Sequence, residues 1–526
     1  MLTCEVLEMN FVNPVQALEN AQGTVLTDPA IAHARKLLAD LGLDLDHVPE
    51  RAGRSAQAAL DWANSGAMAL TGDASGPPQL APGPLASAAR GAGLVIEALT
   101  SETANASDTS SGPFAKRDWA ALLGERAAID GLIRNGQQSA GGAARLLETE
   151  DGWIALNLPR DDDWSLLPAW LASEGSSPPW VSPFGESGGY GDGDAEMTVA
   201  WEALAACVRK RRAEVLVERG RLMGLAVANA PRTLPESPAF RISFGSVGTP
   251  VPGGSDFPAL RGPAPSSPRR LRILDLTSLW AGPLATSLLA EAGANVLKIE
   301  APERPDGARG GSKAFFDLIN AGKRGAALDL RDQGDRKVFE KLLAGADVVF
   351  ESARPRGLKQ LGYDAEEWVR ARPGRLWTSI TGYGRQHEWI AFGDDAAVAA
   401  GLAWPPKSGT HQDASPVSQS PYFCADAVAD PLTGLHAAAI VLAHLKLGRG
   451  GLLDLALQDI AAYCAGPTAS EDFASVVGTN QKGWTLKLED GDHAIALPRA
   501  RSSRGVAPKL AAPSKELLAQ WTNGSC

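Results

Sequence analysis

Arg272–Glu300 reads RILDLTSLWAGPLATSLLAEAGANVLKIE, and this stretch decides the fold. Arg272–Leu276 (RILDL) is a short apolar strand. Gly282–Ala292 (GPLATSLLAEA) has helical spacing, Gly293 is placed to stop that helix, and Val296–Glu300 (VLKIE) is the next strand. Strand, turn, helix and strand in this order make one βαβ unit. The alternation continues downstream with a strand at Ala326–Leu330, a helix over Asp335–Leu343, and strands at Ala346–Glu351 and Leu376–Ile380. A long apolar helix then runs over Leu432–Leu447. The pattern predicts an α/β chain with a Rossmann-like parallel sheet and crossover helices.

Upstream the reading is more helical. Asp28–Leu41 opens on an Asp-Pro pair, which starts a helix well, and Glu196–Gly224 carries an amphipathic helical pattern. Glu150–Arg160 (EDGWIALNLPR) reads as a strand leaving a turn and has an echo at Glu489–Arg499 (EDGDHAIALPR). Three segments, 101–115, 173–194 and 245–269, are rich in Ser, Gly and Pro and read as linkers.

Composition narrows the function classes. The chain has 526 residues, 44% hydrophobic and 21% charged, which permits several domains with real cores. A formal net charge of −11 argues against a nucleic-acid or anionic-membrane surface. The five cysteines are scattered and never form CxxC, which argues against a disulfide framework or a Cys-rich zinc site. With no basic-then-apolar leader and no run of about 20 apolar residues, the expectation is a cytoplasmic protein.

The βαβ turn lacks the GxGxxG that brings a backbone up to a pyrophosphate; only Gly282 stands there. There is no GxSxG elbow and no HExxH, and the seven histidines show no metal-ligand spacing. Basic residues gather after the first unit, from Arg304 and Arg309 through Lys323, Arg324 and Arg331 to Arg354, Arg356 and Lys359. In an acidic chain they suit an anionic ligand with several phosphates. Carboxylates are the remaining chemistry. Gly393-Asp394-Asp395 opens an Ala-rich helix, and Asp430-Pro431 precedes the long one. Asp430 reads equally as a helix cap and as a carboxylate kept ionised and aimed outward by a helix N-terminus.

The second half resembles the class III CoA-transferases, the superfamily of formyl-CoA transferase, carnitine CoA-transferase and 2-methylacyl-CoA racemase. The matching phrases include ILDLTSLWAGP (273–283), GANVLKIE (293–300), DGAR (306–309), NAGKRGAALDL (320–330), ADVVFESARP (346–355), SITGYG (379–384), ADPLTGL (429–435) and GRGGLLDL (448–455). The first half resembles the family more weakly, at 61–78, 152–158 and 218–227. The resemblance implies two fused, unequal copies. A degenerate large-domain-like region would span 1–148 and a small-domain-like region 149–244. A linker would follow at 245–270, the CoA-binding catalytic domain at 271–465 and a shortened small domain at 466–526.

The resemblance implies that Asp430, in the phrase Asp-Pro-Leu-Thr-Gly, is the nucleophile. It implies that Asp395 lies near it, and that Trp280, Arg309, Leu328 and Arg331 contact CoA. In the first half the same phrase is Ser87-Ala-Ala-Arg-Gly91, and serine cannot form the acyl anhydride. The implied reaction moves CoA from an acyl-CoA to a carboxylic acid through aspartyl anhydride and thioester intermediates, with no metal or other cofactor. The alternatives are an acyl-CoA racemase, whose His is replaced here by Asp394, and a non-catalytic CoA-binding partner subunit. Interlocked dimers in the family imply a homodimer or an intramolecular pseudo-dimer.

Overall fold

The computed structural model describes residues 28–43, 57–100, 113–114, 116–172, 194–244, 270–404, 420–466, 475–479 and 483–523, with two short strands at Leu18–Glu19 and Val25–Leu26. The linker segments 173–193 and 245–269, most of 101–115, and 467–474 lie outside these residues.

The chain is mixed α/β. Its main sheet has seven strands, ordered Arg241–Phe244, Gly451–Ala456, Leu376–Thr381, Val348–Glu351, Arg272–Leu276, Asn295–Glu300 and Arg324–Ala327. All neighbours are parallel except the first pair. From Arg272–Leu276 the chain winds one way through Asn295–Glu300 to Arg324–Ala327. It then returns to Val348–Glu351 and winds the other way. The strand order therefore reverses between Arg272–Leu276 and Val348–Glu351, and open α/β sheets bind ligands in the crevice outside such a reversal. The strand expected at 326–330 is Arg324–Ala327.

Two buried lysines shape the turn at this crevice. Asp275 accepts from the Thr277 amide (3.0 Å), the Thr277 hydroxyl (2.5 Å) and the Thr286 hydroxyl (2.7 Å), and pairs with Lys323 at 3.0 Å. Lys298 donates to the Thr277 carbonyl (2.6 Å) and pairs with Asp306 at 2.9 Å. All four charges are fully buried, so each depends on its partner. Burial acts to raise the Asp275 pKa, but Lys323, Lys298 and the two hydroxyls outweigh it and hold the carboxyl well below its usual range. Gly282 is required here, because a Cβ would stand 2.3 Å from the Thr277 Cβ.

Behind the sheet, helices pack into one layer. Ala429–Lys446 is apolar on every side and buried along nearly its whole length. It packs on Ala281–Glu291 and on Leu85–Thr100, and the latter packs in turn on Pro29–Leu41. Gly434 lets the first pair approach: a Cβ there would lie 2.7 Å from the Ala281 carbonyl oxygen. Gly91 does the same for the last pair, 2.7 Å from the Ala30 carbonyl oxygen. The amphipathic pattern at 196–224 resolves into two helices, Asp194–Val208 and Ala213–Met223. The chain turns between them at residues 209–212, where the Arg211 amide donates back to the Val208 carbonyl (2.9 Å).

The halves are interleaved. Strand Arg241–Phe244 forms an edge of the main sheet. Two three-stranded antiparallel sheets, Ala144–Glu148/Trp153–Asn157/Ala226–Asn229 and Ser475–Thr479/Gly483–Leu488/Gly491–Ala494, carry the two echoed EDG phrases. Beyond the second sheet, the Ala496 amide donates to the Ala63 carbonyl of the first half (2.9 Å).

Candidate active site

Asp430 is not a helix cap. The helix begins at Ala429, Val428 holds the cap position, and no side-chain cap bond forms there. Asp430 sits in the first turn, and among the described residues no backbone amide donates to its carboxylate. The backbone leading to it is strained: Ala425 and Ala427 lie at φ 56° and 44°, a region that alanine avoids. Two side chains fix this turn. The Thr71 hydroxyl accepts from the Ala425 amide at 2.9 Å, and the Asp394 carboxylate accepts from the Ala427 amide at 2.9 Å.

Four aspartates meet here. Asp394 and Asp395 open the helix Gly393–Ala399, Asp426 lies in the strained turn, and Asp430 follows it. Gly393 lies so close that a Cβ would stand 2.4 Å from the Asp430 Oδ2. Asp395 accepts from the Phe392 amide (2.9 Å) and from the Asn157 side chain (3.2 Å). Asp426, fully buried, is held by Arg126 through two bonds, Nε–Oδ2 at 2.8 Å and Nη2–Oδ1 at 2.5 Å. The Arg126 guanidinium also lies 5.1 Å above the Trp280 ring.

Burial is the main force on these carboxyls. It pushes Asp430 up to about 7, with Arg126 acting to lower it and Asp394, Asp395 and Asp426 acting to raise it. Asp395 rises to about 7 and Asp394 to about 6, again chiefly through burial. A carboxylate poised near neutrality is nucleophilic once it ionises and is little solvated.

Arg126 and Asn157 belong to the first half of the chain. Sequence reading missed both, because each is an ordinary residue in its own segment and acquires its role only through a contact some 240 to 300 positions away. The same holds for Arg160, which joins a second cluster beside the crevice. Burial lowers the Arg354 pKa, and the neighbouring charges of Arg356, Arg160 and Arg304 lower it further. Neither Arg304 nor Arg354 has an ion-pair partner among the described residues. Arg160 and Arg356 are paired with Asp163 and Glu388, so among the described residues Arg304 and Arg354 are the cations of this cluster left for an anionic group.

The other sequence-singled residues are spread along the sheet. Trp280 stands at the N-cap of Ala281–Glu291, is 2% exposed, meets the Phe315 ring edge-on, and lies under Arg126, which is bound to Asp426. Arg309 is held by Glu300 (2.7 and 2.8 Å) and lies over the Phe316 ring. Leu328 is 1% exposed, and its side chain belongs to the core beneath the sheet. Arg331 is an exposed residue paired with Glu303 and Asp329. Of the basic residues expected to cradle an anion, Lys323 is consumed by Asp275. In the first half, Ser87 donates to Asp61 (2.7 Å), and Arg90 bridges Asp61 and Asp28.

The histidines, which show no ligand spacing in sequence, do meet a cysteine in the fold: His33, His436 and Cys464 place their ligand atoms within 4.8 Å of one another. The His436 Nδ1 donates to the Leu432 carbonyl, which leaves its Nε2 to accept from His33 at 2.8 Å. The pair is thus satisfied internally.

Residues 269–488 match the family model described as CoA-transferase family III. This segment is similar to CoA-transferase family III. Among curated relatives, it is 35% identical over 121 residues to acetyl-CoA:oxalate CoA-transferase of Acetobacter aceti, covering 22% of this chain and 31% of that protein. It is 30% identical to succinate–glutarate CoA-transferase of Agrobacterium fabrum, covering 36% and 50%. It is 30% identical to human succinyl-CoA:glutarate CoA-transferase, covering 42% and 54%. The chain thus spans about half the length, or less, of these relatives. The matched segment contains Asp430, Asp394, Asp395, Asp426 and Trp280, whereas Arg126, Asn157 and Arg160 lie outside it. Among the described residues, no helix is long and apolar enough to cross a membrane.

Proposed function

We propose that the protein is an acyl-CoA:carboxylate CoA-transferase with Asp430 as its nucleophile. The single observation that carries the reading is the seating of Asp430. It is a first-turn carboxylate without a capping role, raised to about 7 by burial, beside a glycine that leaves its Oδ2 open. Ionised Asp430 attacks the thioester carbon, forming an acyl–aspartyl anhydride and releasing CoA thiolate. The thiolate attacks the aspartyl carbonyl, which expels the donor acid and leaves an aspartyl-CoA thioester. An acceptor carboxylate attacks that thioester and forms a second anhydride. The released thiolate then attacks its acyl carbon, giving the new acyl-CoA and free Asp430. Arg304 and Arg354 of the arginine cluster suit the CoA phosphates, and the first helical turn favours developing negative charge.

The first half supports the site in this reading and does not repeat it. It lends Arg126 to Asp426 and Asn157 to Asp395, while its own Ser87–Asp61–Arg90 cluster is closed. We take the chain as an intramolecular pseudo-dimer with one working site. Incubating the full chain with acyl-CoA donors and free acids, read by mass for transferred CoA, tests the function. Transfer that disappears in Asp430→Ala is the expected result, and transfer retained in that variant refutes the assignment.

A further inference from the structure

The relatives named above carry dicarboxylates in their names: oxalate in one, succinate and glutarate or glutarate in the others. A dicarboxylate leaves one carboxylate free when the other forms the thioester. That free charge needs a cation that is not already neutralised by a carboxylate.

The surroundings of Asp430 offer the opposite. Asp394, Asp395 and Asp426 all act on Asp430 with the same sign as an incoming carboxylate. The cation opposing them is Arg126, whose charge is shared with buried Asp426 through Nε and Nη2, which leaves Nη1 alone facing the site. Its remaining face covers the Trp280 ring. Neutral groups complete the neighbourhood. Among the described residues the Trp280 Nε1 has no partner, although the side chain is 98% shielded from solvent. Phe315 stands edge-on to the same ring. Leu279, the residue before Trp280, is held at φ 70° with its apolar side chain 40% exposed at the crevice. A leucine kept in a left-handed conformation and turned partly to solvent is an outlier of the kind that marks ligand clamps.

We infer that this site selects acyl groups that carry no second negative charge, so that its acids are monocarboxylic, with neutral tails against Leu279 and Trp280. The inference rests on the transferase reading and names its substrate class.

Glutaryl-CoA and its terminal monoamide differ in one charge at nearly constant shape, and they separate charge from size. Their dissociation constants are measured by calorimetry on the full-length Asp430→Asn chain, which cannot turn over. In parallel, wild-type protein is assayed for CoA transfer from each thioester to acetate. The monoamide is expected to bind at least about tenfold more tightly, about 1.4 kcal/mol. Asp426→Asn, which frees Arg126, is expected to narrow that ratio. Equal affinity, or tighter binding of glutaryl-CoA, overturns the charge selection. A preserved tenfold preference without transfer from either thioester supports the selection and refutes the transferase reading instead.

Discussion

Replacing Asp430 by Asn should stabilise the protein by an amount that grows as pH rises from about 4 to about 7 and then levels off. In the unfolded chain this carboxyl ionises near 3.8; in the folded protein burial moves it to about 7. Between those values the folded state retains a proton that the unfolded chain has lost. The stability tied to that proton is complete below pH 4 and falls as pH climbs through 7. At about 1.36 kcal/mol per pH unit, the full shift is on the order of 4 kcal/mol. Roughly 2–3 kcal/mol of it is lost between pH 5 and pH 8. Asparagine has the same shape and cannot ionise, so it escapes that loss. Urea unfolding of wild type and Asp430→Asn at pH 5 and pH 8 reads the difference directly. The gap in favour of the variant should widen by roughly 2–3 kcal/mol at the higher pH. A cap aspartate behaves otherwise, because Asn caps a helix as well as Asp does. A variant that is neutral, or equally destabilised at both pH values, would refute the claim that Asp430 is held against its own ionisation.

Three further outcomes follow from the same geometry. Arg126→Ala removes the charge that lowers the Asp430 pKa, so the rising limb of kcat/KM against pH should move to higher pH by about one unit. Because Asp426 is left buried and unpaired, the variant should also lose about 3–5 kcal/mol of stability, and Arg126→Ala/Asp426→Asn should recover most of it. Gly393→Ala places a methyl 2.4 Å from the Asp430 Oδ2 and the Ala427 carbonyl oxygen. The forced displacement should reduce kcat by about a hundredfold, and an active variant with unchanged kcat would place the reacting oxygen elsewhere. Arg354→Ala should raise the KM for the acyl-CoA severalfold while leaving kcat nearly unchanged, if the arginine cluster holds CoA phosphates in ground and transition states alike.

Five of the seven strands of the Rossmann-like sheet were legible as short runs, Arg272–Leu276 and Asn295–Glu300 most plainly, whereas Arg241–Phe244 and Gly451–Ala456 were not read as strands. The strand order needed the structure, since the return from Arg324–Ala327 to Val348–Glu351 leaves no local mark. Asp430 was legible as a candidate but ambiguous, because Asp-Pro before a helix signals a cap. The helix start at Ala429 resolved that ambiguity, and no propensity rule places it there. Asp395 was legible from its phrase. Arg126, Asn157 and Arg160 were not, for a physical reason: each is specified by a long-range contact to a buried or clustered charge, and one sequence does not record such contacts. The basic run from Arg304 to Lys359 was visible in composition, but the sequence did not show that Lys323 serves Asp275 while Arg354 remains free of ion pairs among the described residues.

The central claim, that Asp430 carries the transferring group, is tested most directly by peptide mass spectrometry after brief incubation of the full chain with an acyl-CoA and rapid acid quench. The account predicts that the peptide containing Asp430 gains the mass of CoA less water. Hydroxylamine should replace that adduct with a hydroxamate at the same residue. No adduct at Asp430 while wild-type protein is transferring CoA, or an adduct at Asp394, Asp395 or Asp426 instead, would contradict it.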